Sequence, residues 1–114
     1  MGKCGIVKAV YFESHGGWDV LKYGDVPDPR PAAGEVLIRV KAAGLNFHDL
    51  WARQGLPRIH VPLPHISGSD AAGIVVELGE GVSTLRVGDE VVVYPIQSCR
   101  QCDPCLAGEE LFCK

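Results

Sequence analysis

Hydrophobic positions in this chain fall in short extended runs cut by glycine and proline, with little helical periodicity. Val7–Phe12 is the first run and Leu21–Val26 a weaker second. Glu35–Val40 is the clearest, with Val36, Ile38 and Val40 on one side and Leu37, Arg39 and Lys41 on the other. Side chains two apart share a face only in an extended strand, so this spacing predicts β-structure. Leu37 interrupts the alternation, which predicts that both faces of that strand are partly covered. Ala72–Gly79, with β-branched Ile74, Val75 and Val76, and Glu90–Tyr94, the most hydrophobic run, complete the set of strands. Between them stand turn signals. Pro27-Asp28-Pro29-Arg30-Pro31 cannot continue a strand, and Ala42-Ala43-Gly44 allows close packing or a bend. Gly79-Glu80-Gly81 and Val87-Gly88-Asp89-Glu90 read as turns, and Leu56–Pro64 as a loop with three prolines. Phe47–Gln54 is the one helix the pattern predicts, stopped by Gly55 and Pro57.

Many short strands with 14 glycines and 8 prolines predict a mainly β, barrel-like domain. A length of 114 residues is that of one domain with room for one core. The chain is 46% hydrophobic and 22% charged, with a net charge of −3. No basic patch is present to track phosphates, so nucleic acid is not an expected partner. No apolar run approaches the roughly 20 residues of a membrane span. Lys3 has no signal-type apolar stretch behind it, so the expected location is cytoplasmic, where clustered thiols stay reduced.

The cysteines carry the clearest chemistry. Cys99, Cys102, Cys105 and Cys113 read C-x2-C-x2-C-x7-C within the segment 96–114. Four thiolates at this spacing suit one tetrahedral Zn²⁺ with bonds of about 2.3 Å. Four protein ligands leave no position for water or substrate, so such a zinc is structural. Two disulfides or a reduced thiol cluster are the other readings, and the reducing cytosol favours metal. Cys4 is a fifth cysteine, expected to be a terminal thiol without a role.

Four blocks in order, Val36–Asp49 (VLIRVKAAGLNFHD), Pro64–Gly73 (PHISGSDAAG), Gly79–Val91 (GEGVSTLRVGDEV) and the cysteine lobe, resemble the medium-chain dehydrogenase/reductase superfamily of zinc alcohol dehydrogenases and quinone oxidoreductases. Gly16–Pro29 also looks like that family's opening segment. The resemblance implies that residues 1–114 are an N-terminal GroES-like domain. Its expected fold is a partly open β-barrel with one or two short helices and a structural-zinc lobe over 96–114. The family's second half, a doubly wound nucleotide-binding domain, has no counterpart in this sequence. The nearest string to its G-x-G-x-x-G fingerprint is Gly79-Glu80-Gly81-Val82-Ser83-Thr84, which lacks the third glycine and reads as a turn.

The resemblance also speaks to the active site. Zinc alcohol dehydrogenases carry a catalytic-zinc cysteine where this chain has Asn46, and His-Glu where it has Ser69-Asp70. A catalytic zinc is therefore not expected. Asn46 and Gly68-x-Asp70 are similar to the zinc-independent quinone oxidoreductases, although many of those have tyrosine in place of Trp51. The implied parent reduces a quinone, enone or carbonyl with NAD(P)H. In it Asn46 would be an uncharged donor to a developing oxyanion and His48 a proton relay. Asp49 and Asp70 would orient neighbours, and Asp70 would equally serve as the buried partner of a backbone or arginine group. A solvent-facing helix position is the other reading of His48. His15, His60 and His65 are expected on the surface or in loops, and Phe47, Leu50 and Trp51 in core or pocket wall. The 114 residues alone are expected to be inactive, their partner being the missing nucleotide-binding domain or a second copy. The reading of a different class is a stand-alone zinc-binding scaffold or interaction module without catalysis.

Overall fold

In the computed structural model, which describes residues 5–57 and 60–113, the alternating runs become six strands in two antiparallel sheets. Strands β1 (Ile6–Phe12), β2 (Lys22–Pro27) and β4 (His65–Ile66) form one sheet in the order β2-β1-β4. Strands β3 (Val36–Gly44), β5 (Asp70–Leu78) and β6 (Glu90–Val92) form the other in the order β3-β5-β6. Helix α1 (Phe47–Gln54) follows β3, and a single turn of helix, α2 (Asp103–Leu106), lies among the cysteines. Short 3-10 turns occupy Trp18–Val20 and Glu110–Phe112. The mainly β expectation holds, but the described strands make two sheets and no closed barrel. Cys4 lies outside the described residues.

Strand β3 runs past Val40, where the sequence pattern ends it, to Gly44. It pairs with β5 from Val36↔Leu78 to Gly44↔Asp70, with register shifts at Leu37/Ile38 and Val40/Ala42. The second shift absorbs Lys41 as the extra residue of a bulge, so the bend the small residues suggested occurs inside a continuing strand. Gly73 sits opposite Val40, and a Cβ there would lie 2.2 Å from the Arg39 carbonyl oxygen. At the far end Gly79 donates to the Glu35 carbonyl at 2.8 Å, and a Cβ on it would fall 1.9 Å from the Ala32 oxygen. Both are glycines because another backbone occupies the side-chain space. Pro27 takes the last position of edge strand β2, where no ladder donor is lost. Strand β6 stops at Val92, although Val93 still donates to Ala71 at 2.8 Å.

The core is thin. Phe12, Val75 and Ala52 are the buried apolar residues among those described. The accessible surface is 8973 Å², against about 6,100 Å² for a folded monomer of 12.3 kDa. The radius of gyration is 15.8 Å, where a compact chain of this length has about 13 Å. The molecule is a slab of 41 × 39 × 24 Å with large apolar side chains outside, among them Val92, Tyr94, Leu106, Leu111 and Phe112.

Two histidine rings close over Phe12. His15 and His65 pack tilted on it with centroids 6.0 and 5.4 Å away. The His15 Nδ1 lies 3.1 Å from the Ala52 carbonyl oxygen and 3.2 Å from that of Arg53. Carbonyls only accept, so this nitrogen carries the proton. Gly16 adds an amide donor to Arg53 at 3.0 Å. The loop after β1 thus satisfies carbonyls at the C-terminus of α1, which otherwise lack partners. His15, expected as a surface residue, is exposed by area but performs this cap, while His65 is half-buried against the core. His15→Ala is expected to cost about 1–2 kcal/mol and to loosen α1. Urea unfolding followed by circular dichroism checks this, and an unchanged midpoint would remove the cap from the account.

Candidate functional site

The four cysteines converge. After β6 the chain runs to Cys99. Cys102 precedes α2, Cys105 lies inside it, and Cys113 follows the 3-10 turn Glu110–Phe112. Asp103 and Pro104 open α2, where proline's missing donor costs nothing. All four Sγ atoms lie within 4.8 Å of one another. Cys102–Cys105 and Cys99–Cys105 are separated by 3.4 and 3.9 Å. The S–S edge of a tetrahedron with 2.3 Å bonds is about 3.8 Å, whereas a disulfide needs about 2.05 Å. None of the four is in a disulfide, and together they are arranged as a metal tetrad. They fit one zinc with no open position.

Backbone amides support the sulfurs. Gln101 and Cys102 donate to the Cys99 Sγ at 3.4 and 3.3 Å, and Cys99 donates to the Cys113 Sγ at 3.2 Å. The two amides hold the Cys99 thiol down to about 6, while burial pushes Cys105 up to about 12. Above pH 6 the Cys99 thiolate is the populated form, and it is lost as pH falls through that value. In metal-free protein at pH 7, iodoacetamide is therefore expected to modify Cys99 before Cys105, with a rate falling below pH 6. Peptide mapping by mass spectrometry reads the order, and prior modification of Cys105 would contradict it.

The second cluster joins the end of β3, the start of α1 and the start of β5. Asn46 is the N-cap of α1. Its backbone N–H donates to the Asp49 Oδ2 at 2.8 Å, and the Asp49 N–H donates to the Asn46 carbonyl at 3.0 Å. Ser69 Oγ donates to the other Asp49 oxygen at 3.3 Å. The Asn46 side-chain amide donates to Asp70 Oδ2. Pairing of Gly44 with Asp70 brings the two ends together. Asp49 is only 6% exposed, so this carboxylate is buried and satisfied by two donors.

Of the three expected site residues here, Asn46 and Asp70 meet. His48 occupies the second helical position, exposed, and no hydrogen bond joins it to the cluster among the described residues. Asp70 pairs with the Asn46 amide rather than with a backbone or arginine group. Asp49 proves to be the buried centre of the cluster. Its signal in the sequence is the Asn46-x-x-Asp49 spacing of a capping box, a helix-start pattern that does not itself announce a site. Phe47 and Trp51 are exposed and tilted with centroids 6.5 Å apart, so they lie at the surface rather than in the core, and Leu50 is half-buried. His60 is an exposed loop residue, as expected. Among the described residues, no second group of three His, Cys, Asp or Glu donors converges here.

Two antiparallel sheets, one short helix carrying a polar N-cap cluster, and a four-thiolate lobe together define a GroES-like domain of the dehydrogenase type. The sequence model of the alcohol dehydrogenase GroES-like domain matches residues 32–114. The chain belongs to this family, within the medium-chain dehydrogenase/reductase superfamily. An alcohol dehydrogenase of Schizosaccharomyces pombe is 39% identical over 106 residues, 92% of this chain and 30% of that protein. The solved cobalt- and zinc-bound thermostable alcohol dehydrogenase from Pyrobaculum aerophilum superposes with a TM-score of 0.86 at 42% identity, over 96% of this chain and 33% of that one. Escherichia coli quinone oxidoreductase complexed with NADPH superposes with a TM-score of 0.71 at 39% identity, over 82% and 28%. The chain thus spans about a third of the length of these relatives.

Proposed function

We propose that these residues form the substrate-side domain of an NAD(P)H-dependent oxidoreductase acting on a small quinone, enone or carbonyl compound, with one structural zinc and no catalytic zinc. The observation that carries the reading is the Asn46–Asp49–Ser69–Asp70 cluster, a polar site that, among the described residues, lacks a metal-donor set. Similarity to both an alcohol dehydrogenase and an NADPH-complexed quinone oxidoreductase supports the reaction class. A nicotinamide cofactor supplies hydride when bound by the nucleotide-binding domain of the parent. Asp70 fixes the plane of the Asn46 amide, and the second amide hydrogen of Asn46 stays available to a substrate oxygen that gains charge. His48, exposed on the first turn of α1, exchanges protons with solvent. Cys99, Cys102, Cys105 and Cys113 hold the structural zinc in a reducing, cytoplasmic setting, and that zinc takes no part in hydride transfer.

On this reading these 114 residues alone do not turn over substrate, since their sequence carries no G-x-G-x-x-G fingerprint for a hydride-donating dinucleotide. The test is a chimera in which this chain replaces the matched N-terminal part of the E. coli quinone oxidoreductase. Oxidation of NADPH that depends on a quinone or enone, reduced at least tenfold by Asn46→Ala, is the expected result. Turnover by the unfused chain would contradict the reading. A folded, NADPH-binding chimera inert toward quinones, enones and carbonyls would favour a zinc-binding scaffold instead.

A further inference from the structure

Arg100 stands alone among the described non-glycine residues in having a positive φ, at 57°. That left-handed conformation is unfavourable for an ordinary side chain, and strain of this kind concentrates where a site requires it. Its place is telling. Arg100 follows the first cysteine of the tetrad, and the next two amides, those of Gln101 and Cys102, both turn back onto the Cys99 sulfur. Rotation about the Arg100 N–Cα bond swings both peptides together. A φ near the ordinary −60° would carry the two donors away from the sulfur.

Successive amides around a left-handed residue form a concave nest for negative charge. A zinc held by four thiolates carries a net charge of −2, so such donors belong where the charge is. Arg100 is itself exposed. We infer that Arg100 is a positioning residue of the metal centre, acting through its left-handed backbone and not through its guanidinium, and that it sets the centre's affinity below what a glycine at the same position would give. The inference rests on the zinc reading above and adds a determinant of affinity to it.

Three substitutions separate the backbone from the charge. Arg100→Gly removes the strain and the charge. Arg100→Ala removes the charge and keeps the strain. Arg100→Val adds a β-branch that opposes the left-handed region. Zinc affinity is measured on the full chain by competition with a chromophoric chelator, and cobalt substitution reports intact thiolate coordination through its charge-transfer band. The expected order is Arg100→Gly about fivefold tighter than the native chain, Arg100→Ala unchanged within about twofold, and Arg100→Val about tenfold weaker. Weaker binding in both Arg100→Gly and Arg100→Ala would overturn the inference in favour of charge compensation. Equal affinity in all four proteins would overturn it while leaving the zinc centre in place. A native chain that takes up neither zinc nor cobalt would overturn the metal reading and this inference together.

Discussion

Cys105→Ser is expected to abolish stoichiometric zinc and to melt the lobe from Cys99 to Cys113 while leaving both sheets folded. Four thiolates contribute apparent binding free energy on the order of 10 kcal/mol, and the lobe has little else to order it. Helix α2 is a single turn of four residues, far below the length at which an isolated helix is stable. It packs on the 3-10 turn Glu110–Phe112. Leu106, Leu111 and Phe112 remain exposed, so the lobe has no core of its own. Hydrogen exchange should show the loss directly. The amides of Cys99, Gln101 and Cys102, which donate to sulfur, lose protection, while those of β3 and β5 keep theirs. A chelator should reproduce the pattern in the native chain. Unchanged zinc content and unchanged exchange in Cys105→Ser would mean that the tetrad does not hold metal.

Phe12→Ala is expected to destabilise the domain by about 3–5 kcal/mol. Phe12 is fully buried, lies between two histidine rings and pairs with His65 across β1 and β4. Truncating a buried phenylalanine costs about 3–5 kcal/mol, a large share of the 5–15 kcal/mol typical of a whole domain. Among the described residues, Val75 is the one other large side chain that is fully buried. The loss also removes the ring on which His15 rests, and with it the cap on α1 that presents Asn46. Phe12→Leu should recover most of the stability, at a cost of about 1.5 kcal/mol or less. Urea unfolding in excess zinc reads both. A loss below about 1 kcal/mol for Phe12→Ala would place the core elsewhere.

Helix α1 was legible to its ends, because its signals are local. Asn46 precedes it, Gly55 and Pro57 follow it, and the structure places it over Phe47–Gln54 as the pattern predicts. Strand β1 was equally plain. The continuation of β3 beyond Val40 was not, since a bulge at Lys41 shifts the alternation on which the reading depends. A mainly β, partly open barrel-like domain was expected from composition and family resemblance, and the two antiparallel sheets agree with it. Which strands pair is decided by contacts distant in sequence, and the two three-stranded sheets could not be read from either. In the lobe, cysteine spacing forecast the tetrad without forecasting α2, because four residues show no period.

The candidate site divides in the same way. Asn46 and Asp70 were singled out by their position in a recognised block, and their side chains are hydrogen-bonded to each other. Asp49 is the buried member of the cluster, yet a carboxylate at the third helical position reads first as a cap. His15 was placed on the surface because nothing nearby in sequence announces that residues 52 and 53 end a helix beside it. The left-handed backbone of Arg100 has no sequence signature, since arginine has no preference for that region.

The most direct measurement is zinc per chain by elemental analysis, on the native protein and on Asn46→Ala. One zinc in both is the result this account requires, with the metal on the four cysteines and none at the polar cluster. Two zincs per native chain, or loss of metal on substituting Asn46, would contradict it.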